Sequence, residues 1–353
     1  MALQTVEWSQ LEYLSQSLQT LSLGELSEQE LSSLNQAVTL LEDHADWHGL
    51  IRLRDLFESF IVGESYANIP LFVRLAYASI NAADHLGNNI KAGQYLHDLG
   101  HQLHRIGKHW EAIQVFQRSQ DCYSRVEGYD FRALESYYMT ALCYRAVHQR
   151  RKAKRVLTQV INELKVDDPW RAHPLQVLAW VLQDDGKLGE TETLLEQVLD
   201  IHEKNEGIDA YILIQVLADL GEIKGFLRKN DEAEFCFDRA LALAGSYAER
   251  GGRQKARTLV KKAQFYAATK RYNQAKELLR AADNELSSYS RYPDYVWRID
   301  FGYAYVFLRQ RKFRQAWGKL QAVFQIRRSL GLSNTRLVLI YTIRLLRHIG
   351  PPR

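Results

Sequence analysis

The chain repeats itself with a period of about forty residues, and few folds can accommodate that. The repeated unit is a small residue, a long apolar residue three further on, and, after a turn, an Ala-x3-large-x2-small pattern. It occurs six times. The copies run Gly100, Leu103, Ala112, Phe116, Ser119; Ala141, Tyr144, Ala153, Leu157, Val160; and Ala179, Leu182, Thr191, Leu195, Val198. They continue as Gly221, Lys224, Ala233, Phe237, Ala240; Ala263, Tyr266, Ala275, Leu279, Ala282; and Ala304, Phe307, Ala316, Leu320, Val323. The interval from small residue to anchor is 12 in every copy, and the anchors at 112, 153, 191, 233, 275 and 316 are spaced 41, 38, 42, 42 and 41. In the fourth copy Lys224 stands where a long apolar residue is expected. The physical reading is a pair of antiparallel helices. Small residues let the two approach, and the large residue four beyond the anchor fills the hole between neighbouring pairs. Each pair leaves an apolar face bare, so the pairs must stack. Short turns such as "RIGKHWEA", "FLRKNDEA" and "ATKRYNQA" separate the helices, and no convincing strand pattern occurs.

These residues resemble the tetratricopeptide repeat (TPR), with its small residue in the first helix and Ala-x3-Phe/Tyr-x2-small in the second. The period exceeds the usual one of about 34. In that respect the copies are similar to the long-helix repeats of kinesin light chains and of TPR regions attached to bacterial signalling ATPases. The resemblance covers residues 90–330 and implies an all-α helix-turn-helix solenoid, wound as a right-handed superhelix. Residues 1–89 are expected to be an N-terminal helical cap or degenerate repeats, in which Ser27 and Glu30 form a capping box and Ala37 and Gly49 restate the 12-residue interval. Residues 331–353, stopped by Gly350 and two prolines, are expected to be a C-terminal capping helix.

Candidate binding residues follow from the TPR register, which turns certain first-helix positions toward a concave groove. The segment "HDLGHQLHRIGKHW" (97–110) places His97, His101 and His104 at i, i+4 and i+7, on one helix face. The spacing admits metal binding, but Asp98 stands where HExxH has its Glu, and no third ligand is evident nearby in sequence. A polar groove wall is therefore expected, with no metal and no cofactor. The partner-binding set comprises His97, His101, Tyr138, Arg145, Trp180, Lys261, Arg298, Tyr305 and Arg309 from the groove register, Arg105 beside it, and Arg311, Lys312 and Arg314 from the C-terminal third. Asp219, Glu222, Arg257 and Phe301 fall in the same groove register. Arg and aromatic residues together are the usual anchors of recognition sites. The Lys/Asn/Arg set that clamps a C-terminal carboxylate in chaperone-binding TPRs is missing.

Charge is divided unevenly. Residues 1–249 carry 23 Lys+Arg against 37 Asp+Glu, a net of −14; residues 250–353 carry 23 against 5, a net of +18. Such a basic end predicts an acidic partner surface or nucleic acid, or the acidic end of a second copy in a homo-oligomer. Phe313 and Trp317 interleave the cations of 309–328, but they also fall at core spacing and are expected to be buried. Phosphate-loop, dinucleotide and nucleophile-elbow motifs are missing, and Cys143 has no histidine beside it in sequence, so the chain is expected not to be an enzyme. The start "MALQTVEWSQ" lacks the pattern of a signal peptide, the apolar runs are too short to span a membrane, and three cysteines lack CxxC spacing; a cytoplasmic location is expected. Function is read as a non-catalytic adaptor that holds a protein or peptide in its groove and uses its basic end. Two alternatives stay open: a ligand-sensing regulator resembling the peptide-binding Rap proteins, and a nucleic-acid-binding subunit using residues 250–353.

Overall fold

Apolar residues three and four apart give each helix one buried face, and the chain consists of such helices joined by turns. The computed structural model describes residues 6–20, 27–58, 69–205, 210–246, 252–287 and 293–329. Among them lie sixteen α-helices and no strand. The first eight are α1 (Trp8–Thr20), α2 (Glu28–Asp43), α3 (Trp47–Leu56), α4 (Ile69–His85), α5 (Asn89–Arg105), α6 (His109–Tyr123), α7 (Asp130–Ala146) and α8 (Arg150–Glu163). The rest are α9 (Ala172–Asp184), α10 (Leu188–Lys204), α11 (Ala210–Phe226), α12 (Asn230–Ser246), α13 (Gly252–Ala268), α14 (Tyr272–Ser287), α15 (Pro293–Arg309) and α16 (Phe313–Ser329). The C-terminal capping helix expected at 331–353 lies outside the described residues.

One backbone device ends the first helix of all six copies. Seven residues after each small residue the chain enters the left-handed region, at Gly107, His148, Gly186, Arg228, Lys270 and Arg311, with φ between 60° and 82°. The next residue then donates its N–H back across the turn. These bonds run from Lys108 to Leu103, Gln149 to Tyr144, Lys187 to Leu182, Lys229 to Lys224, Arg271 to Tyr266 and Lys312 to Phe307, at 2.8–3.0 Å. This is a Schellman closure, and it satisfies a carbonyl that the helix end would leave bare. Its acceptor is the residue three past the small one, so turn and packing share one register.

Packing follows that register. The anchors Ala112, Ala153, Thr191, Ala233, Ala275 and Ala316 are all buried, as are Phe116, Leu157, Leu195, Phe237, Leu279 and Leu320. A Cβ added to Gly100 would come within 2.6 Å of the Phe116 ring, and one added to Gly221 within 2.9 Å of Phe237. The large residue thus presses on the small residue of its own pair. Leu279 also fills space between pairs, since a Cβ on Gly302 would lie 2.6 Å from it. Lys224, the exception in sequence, is buried but donates to Glu192 (2.9 Å), Glu196 (2.9 Å) and Glu232 (2.6 Å). Burial alone would lower its pKa; those three carboxylates outweigh it and hold the ammonium charged.

The chain forms two compact units, Met1–Val156 and Leu157–Arg353, and the division falls within α8. In the first unit α2 packs on α3 and α4, α3 on α4, α4 on α5, α5 on α6 and α6 on α7. Arg54 of α3 is fully buried there; it donates to Asp98 of α5 at 2.5 Å and lies over the Tyr95 ring. In the second unit α9–α10, α11–α12, α13–α14 and α15–α16 pair in order, and α11, α13 and α15 pack side by side as first helices.

The amino-terminal expectations hold only in part. The Ser27–Glu30 capping box is present. The 12-residue interval is one residue out of register, however. The left-handed residue is Ala45 and the closing bond runs from Asp46 to Leu41, so the equivalents of Gly100 and Ala112 are Val38 and Leu50, both fully buried. Gly87, with Asn88 donating to Ala83, makes the same turn between α4 and α5. Helix α5 therefore leaves one such turn and enters another only 20 residues later, which breaks the period.

The turns hold a stability reserve. Arg228 and Lys270 are exposed and carry a Cβ in the left-handed region, where the penalty exceeds the entropic cost of glycine. Arg228→Gly or Lys270→Gly should stabilise the protein by about 0.5–1 kcal/mol, read as a raised urea midpoint at unchanged slope. A lowered midpoint would show that the turns are not strained.

Candidate functional site

Side chains one repeat apart on adjacent first helices meet, and two polar clusters arise that way. In the first unit, the His97 Nδ1 is 3.0 Å from the Ser136 hydroxyl, 39 residues on, and its Nε2 is 3.0 Å from His101 Nε2. Ser136 in turn lies 3.0 Å from Ser119, whose hydroxyl donates to the Gly93 carbonyl at 2.7 Å. The carbonyl end fixes the direction. Ser119 has given its proton to Gly93, so it accepts from Ser136, which accepts from His97 Nδ1–H, leaving Nε2 to accept from His101. Each ring is neutral with one assigned tautomer. Burial, with Arg132 adding to it, pushes His97 down to about 4; burial, His97 and Arg105 push His101 down to about 4 against an opposing pull from Glu135. The histidines are thus tied into the helix packing, a polar wall that is already hydrogen-bonded.

One turn further along, Cys143 Sγ of α7 lies 3.3 Å from His104 Nδ1 of α5, again 39 residues apart. Burial drives the Cys143 thiol up to about 12, while burial, His109, His101 and Arg145 drive His104 down to about 3. Both partners are held neutral, the reverse of the thiolate–imidazolium pair that a nucleophile needs. The sequence expectation that no Cys is aimed at these histidines does not hold. His104, His109 and Cys143 offer three ligand atoms within 4.8 Å of one another.

In the second unit the cluster centres on Asp219 of α11, a buried carboxylate. Its Oδ2 accepts from Trp180 Nε1 of α9 at 2.7 Å; its Oδ1 accepts from Lys261 at 2.7 Å and Arg257 at 3.2 Å, both of α13. Lys261 also bridges to Glu222. Burial by itself would raise the Asp219 pKa, but Lys261 and Arg257 outweigh it and hold the carboxyl below its usual range. Trp180 and Lys261, singled out from sequence, thus meet at one acceptor carried by the first helix between their own.

The remaining candidates are scattered. Arg105 is half-buried and donates to Gln102 of its own helix at 3.3 Å. Tyr138 and Arg145 are half-buried on α7, with burial and Glu135 raising the Tyr138 hydroxyl. Arg298 is exposed on α15 and its guanidinium lies over the Trp297 ring. Tyr305 is corrected: at 3% exposed it belongs to the core that includes Ala267, Leu279 and Val306. Arg309 donates to the Ala268 carbonyl at 3.0 Å and its own carbonyl accepts from Tyr272, so it ties helix ends together. Arg311, Lys312 and Arg314 are exposed at the α15–α16 turn. The expectation for their aromatic neighbours is overturned, because Phe313 is 66% and Trp317 59% exposed. Core spacing put them on the same helix as Ala316 and Leu320, but on its outer side. Sequence reasoning passed over Ser119, Ser136, His109 and the carboxylates around Lys224. For Ser136 the available signal was its separation from His97, one repeat.

A tetratricopeptide-repeat family model matches residues 256–284. No curated protein sequence matches the chain. Among solved structures, the apo form of RapI superposes with a TM-score of 0.64 at 12% identity, covering 80% of this chain and 98% of RapI. The Rap conjugation gene regulator of plasmid pLS20, in complex with the Phr* peptide, gives 0.55 at 12% identity over 98% of both chains. Aspartyl phosphate phosphatase F from Bacillus subtilis gives 0.56 at 13% identity over 91% of this chain and 90% of its own. The fold is a TPR-like repeat solenoid, all-α. No helix among the described residues is long and apolar enough to cross a membrane.

Three outcomes test these clusters. Asp219→Ala strands Lys261 and Arg257 without their shared acceptor and should cost about 3–5 kcal/mol in urea unfolding. Trp180→Phe, which keeps the ring and loses one bond to a charged acceptor, should cost only about 1.5–3 kcal/mol. The histidine relay sets a pH dependence. An unfolded histidine takes up its proton near 6.5, a folded His97 or His101 only near 4. Stability is therefore full above pH 6.5 and falls as pH drops through that window, by up to about 1.4 kcal/mol per pH unit for each ring. The double variant His97→Gln, His101→Gln should show a shallower loss between pH 7 and 5. An unchanged slope would mean that the two rings are not held neutral.

Proposed function

We propose that this protein is a ligand-sensing TPR regulator that binds a short peptide on the first-helix face of its second unit, around Trp180, Asp219, Glu222, Arg257 and Lys261. The observation that carries the reading is this convergence of an indole, two cations and two carboxylates from α9, α11 and α13. Such a cluster offers an aromatic anchor beside exchangeable charges, the combination that concentrates binding energy in few residues. The near-complete overlap with a Rap regulator that holds a peptide supports the same assignment. A peptide carrying a carboxylate would compete with Asp219 and Glu222 for Lys261 and Arg257. Ligand binding would then redistribute contacts among three helices at once, the requirement for a peptide-driven shift between two arrangements.

Catalysis is not part of this reading. The fold accommodates a phosphatase, so the argument rests on chemistry: the Cys143–His104 pair of the first unit is neutral on both sides. The exposed corner of Arg311, Lys312 and Arg314 with Phe313 and Trp317 supplies a second surface, suited to an acidic protein target of the regulator.

Selection of displayed random short peptides on the full-length protein tests the proposal. One sequence family should be enriched, with its affinity lowered at least about tenfold by Trp180→Phe and by Lys261→Gln, corresponding to about 1.4 kcal/mol. Failure to enrich any family, or equal affinity for both variants with their helical signal intact, would overturn it.

A further inference from the structure

The face of α5 that carries the histidine relay continues into a different chemistry at its carboxyl end. His104 leaves α5 there, His109 opens α6 after the Gly107 turn, and Cys143 approaches from α7. Their ligand atoms all lie within 4.8 Å of one another, with Cys143 Sγ and His104 Nδ1 at 3.3 Å. The His104 and His109 ring centroids are 4.9 Å apart. His109 is buried, and its Nδ1 has no hydrogen-bond partner. A buried imidazole nitrogen without a partner is costly, and inside a cluster of two further donors it is what a ligand position looks like before the ligand arrives.

We propose that His104, His109 and Cys143 bind one zinc(II) ion. Two imidazoles and a sulfur match the preference of borderline-soft transition metals and are wrong for magnesium or calcium, which take oxygen. In tetrahedral zinc sites with metal–nitrogen distances of about 2.0–2.1 Å and metal–sulfur of about 2.3 Å, ligand atoms stand about 3.3–3.6 Å apart. The sulfur–His104 pair is already at 3.3 Å, and the longer separations close by rotation of His109, whose free Nδ1 gives up no bond in turning. His97 and His101 are not ligands, since both are committed to the serine relay. His104 is half-buried, which leaves the ion a way in, and the fourth position falls to water or an incoming ligand. On binding, the Cys143 S–H bond breaks and a sulfur–metal bond forms; the proton passes to solvent and no electron moves. The thiolate charge offsets the nearby Arg145 cation that acts on His104. The ion would clasp three helices across the first turn, independently of the peptide-binding face in the second unit.

Cobalt(II) is the probe, because thiolate ligation gives it a charge-transfer band that imidazole and water do not. Full-length protein, stripped with chelator, should take up one equivalent of cobalt with that band, and zinc should displace it. Zinc should also raise the melting temperature. Cys143→Ser should lose the band, Cys122→Ser and Cys236→Ser should keep it, and His109→Gln should bind at least about tenfold more weakly. Circular dichroism checks that each variant is helical, and His109→Gln, made at the first residue of α6, decides the matter should Cys143→Ser fail to fold. No band in the wild type, a band that persists in Cys143→Ser, or unaltered affinity in His109→Gln would overturn the site.

Discussion

The structure depends on a turn made of backbone. In each copy a residue in the left-handed region lets the following N–H reach the carbonyl five residues earlier, and that bond fixes where the second helix starts relative to the first. Once it is fixed, the small residue of the first helix must face the large residue sixteen positions on, as Gly100 faces Phe116 and Gly221 faces Phe237. Close approach is then a result of register, and register a result of the turn. The one place where the period fails, α4 to α6, keeps the turn twice and shortens the spacing between turns instead.

Repetition has a second effect, on chemistry. Equivalent first helices pack side by side, so residues about one period apart become neighbours: His97 with Ser136, His104 with Cys143, Trp180 with Asp219, and Asp219 with Lys261. Polar groups on these faces are buried or half-buried and must be satisfied. The chain meets that need in two ways, by a directed line of neutral donors in the first unit and by a multiply shared carboxylate in the second. Lys224 shows the same logic in the packing itself, where an ammonium replaces an apolar side chain and three carboxylates gather on it.

Much of this was legible in the sequence. The anchors, the 12-residue interval and the capping box at Ser27 all reflect backbone geometry and burial, which leave regular marks in composition. The misplaced pair Ala37 and Gly49 shows the limit: a small residue marks the contact only when the turn is in step, and Val38 and Leu50 carry the true register with larger side chains. Phe313 and Trp317 misled for a related reason. Helical spacing says which residues share a face but not which face is covered. Tyr305 erred the other way, since a groove position in one repeat is a core position where a neighbouring helix closes over it. Cys143 is set aside in the sequence because no histidine is placed beside it there. Its partner stands one repeat back, a distance that becomes meaningful only after the period is used as a ruler.

Because the turn is closed by main-chain atoms, its tip sets few demands on which side chain stands there, although Lys229 bridges to Glu192 and Arg271 to Glu234. In the last three copies those positions hold Arg228 and Lys229, Lys270 and Arg271, and Arg311 and Lys312. Three successive helix pairs therefore lift two cations each to the same corner. Positive charge here is laid out as rungs whose interval is set by how closely one helix pair packs on the next, a ladder and not a smear, and a polyanion running along that edge would be sorted by the spacing of its charges.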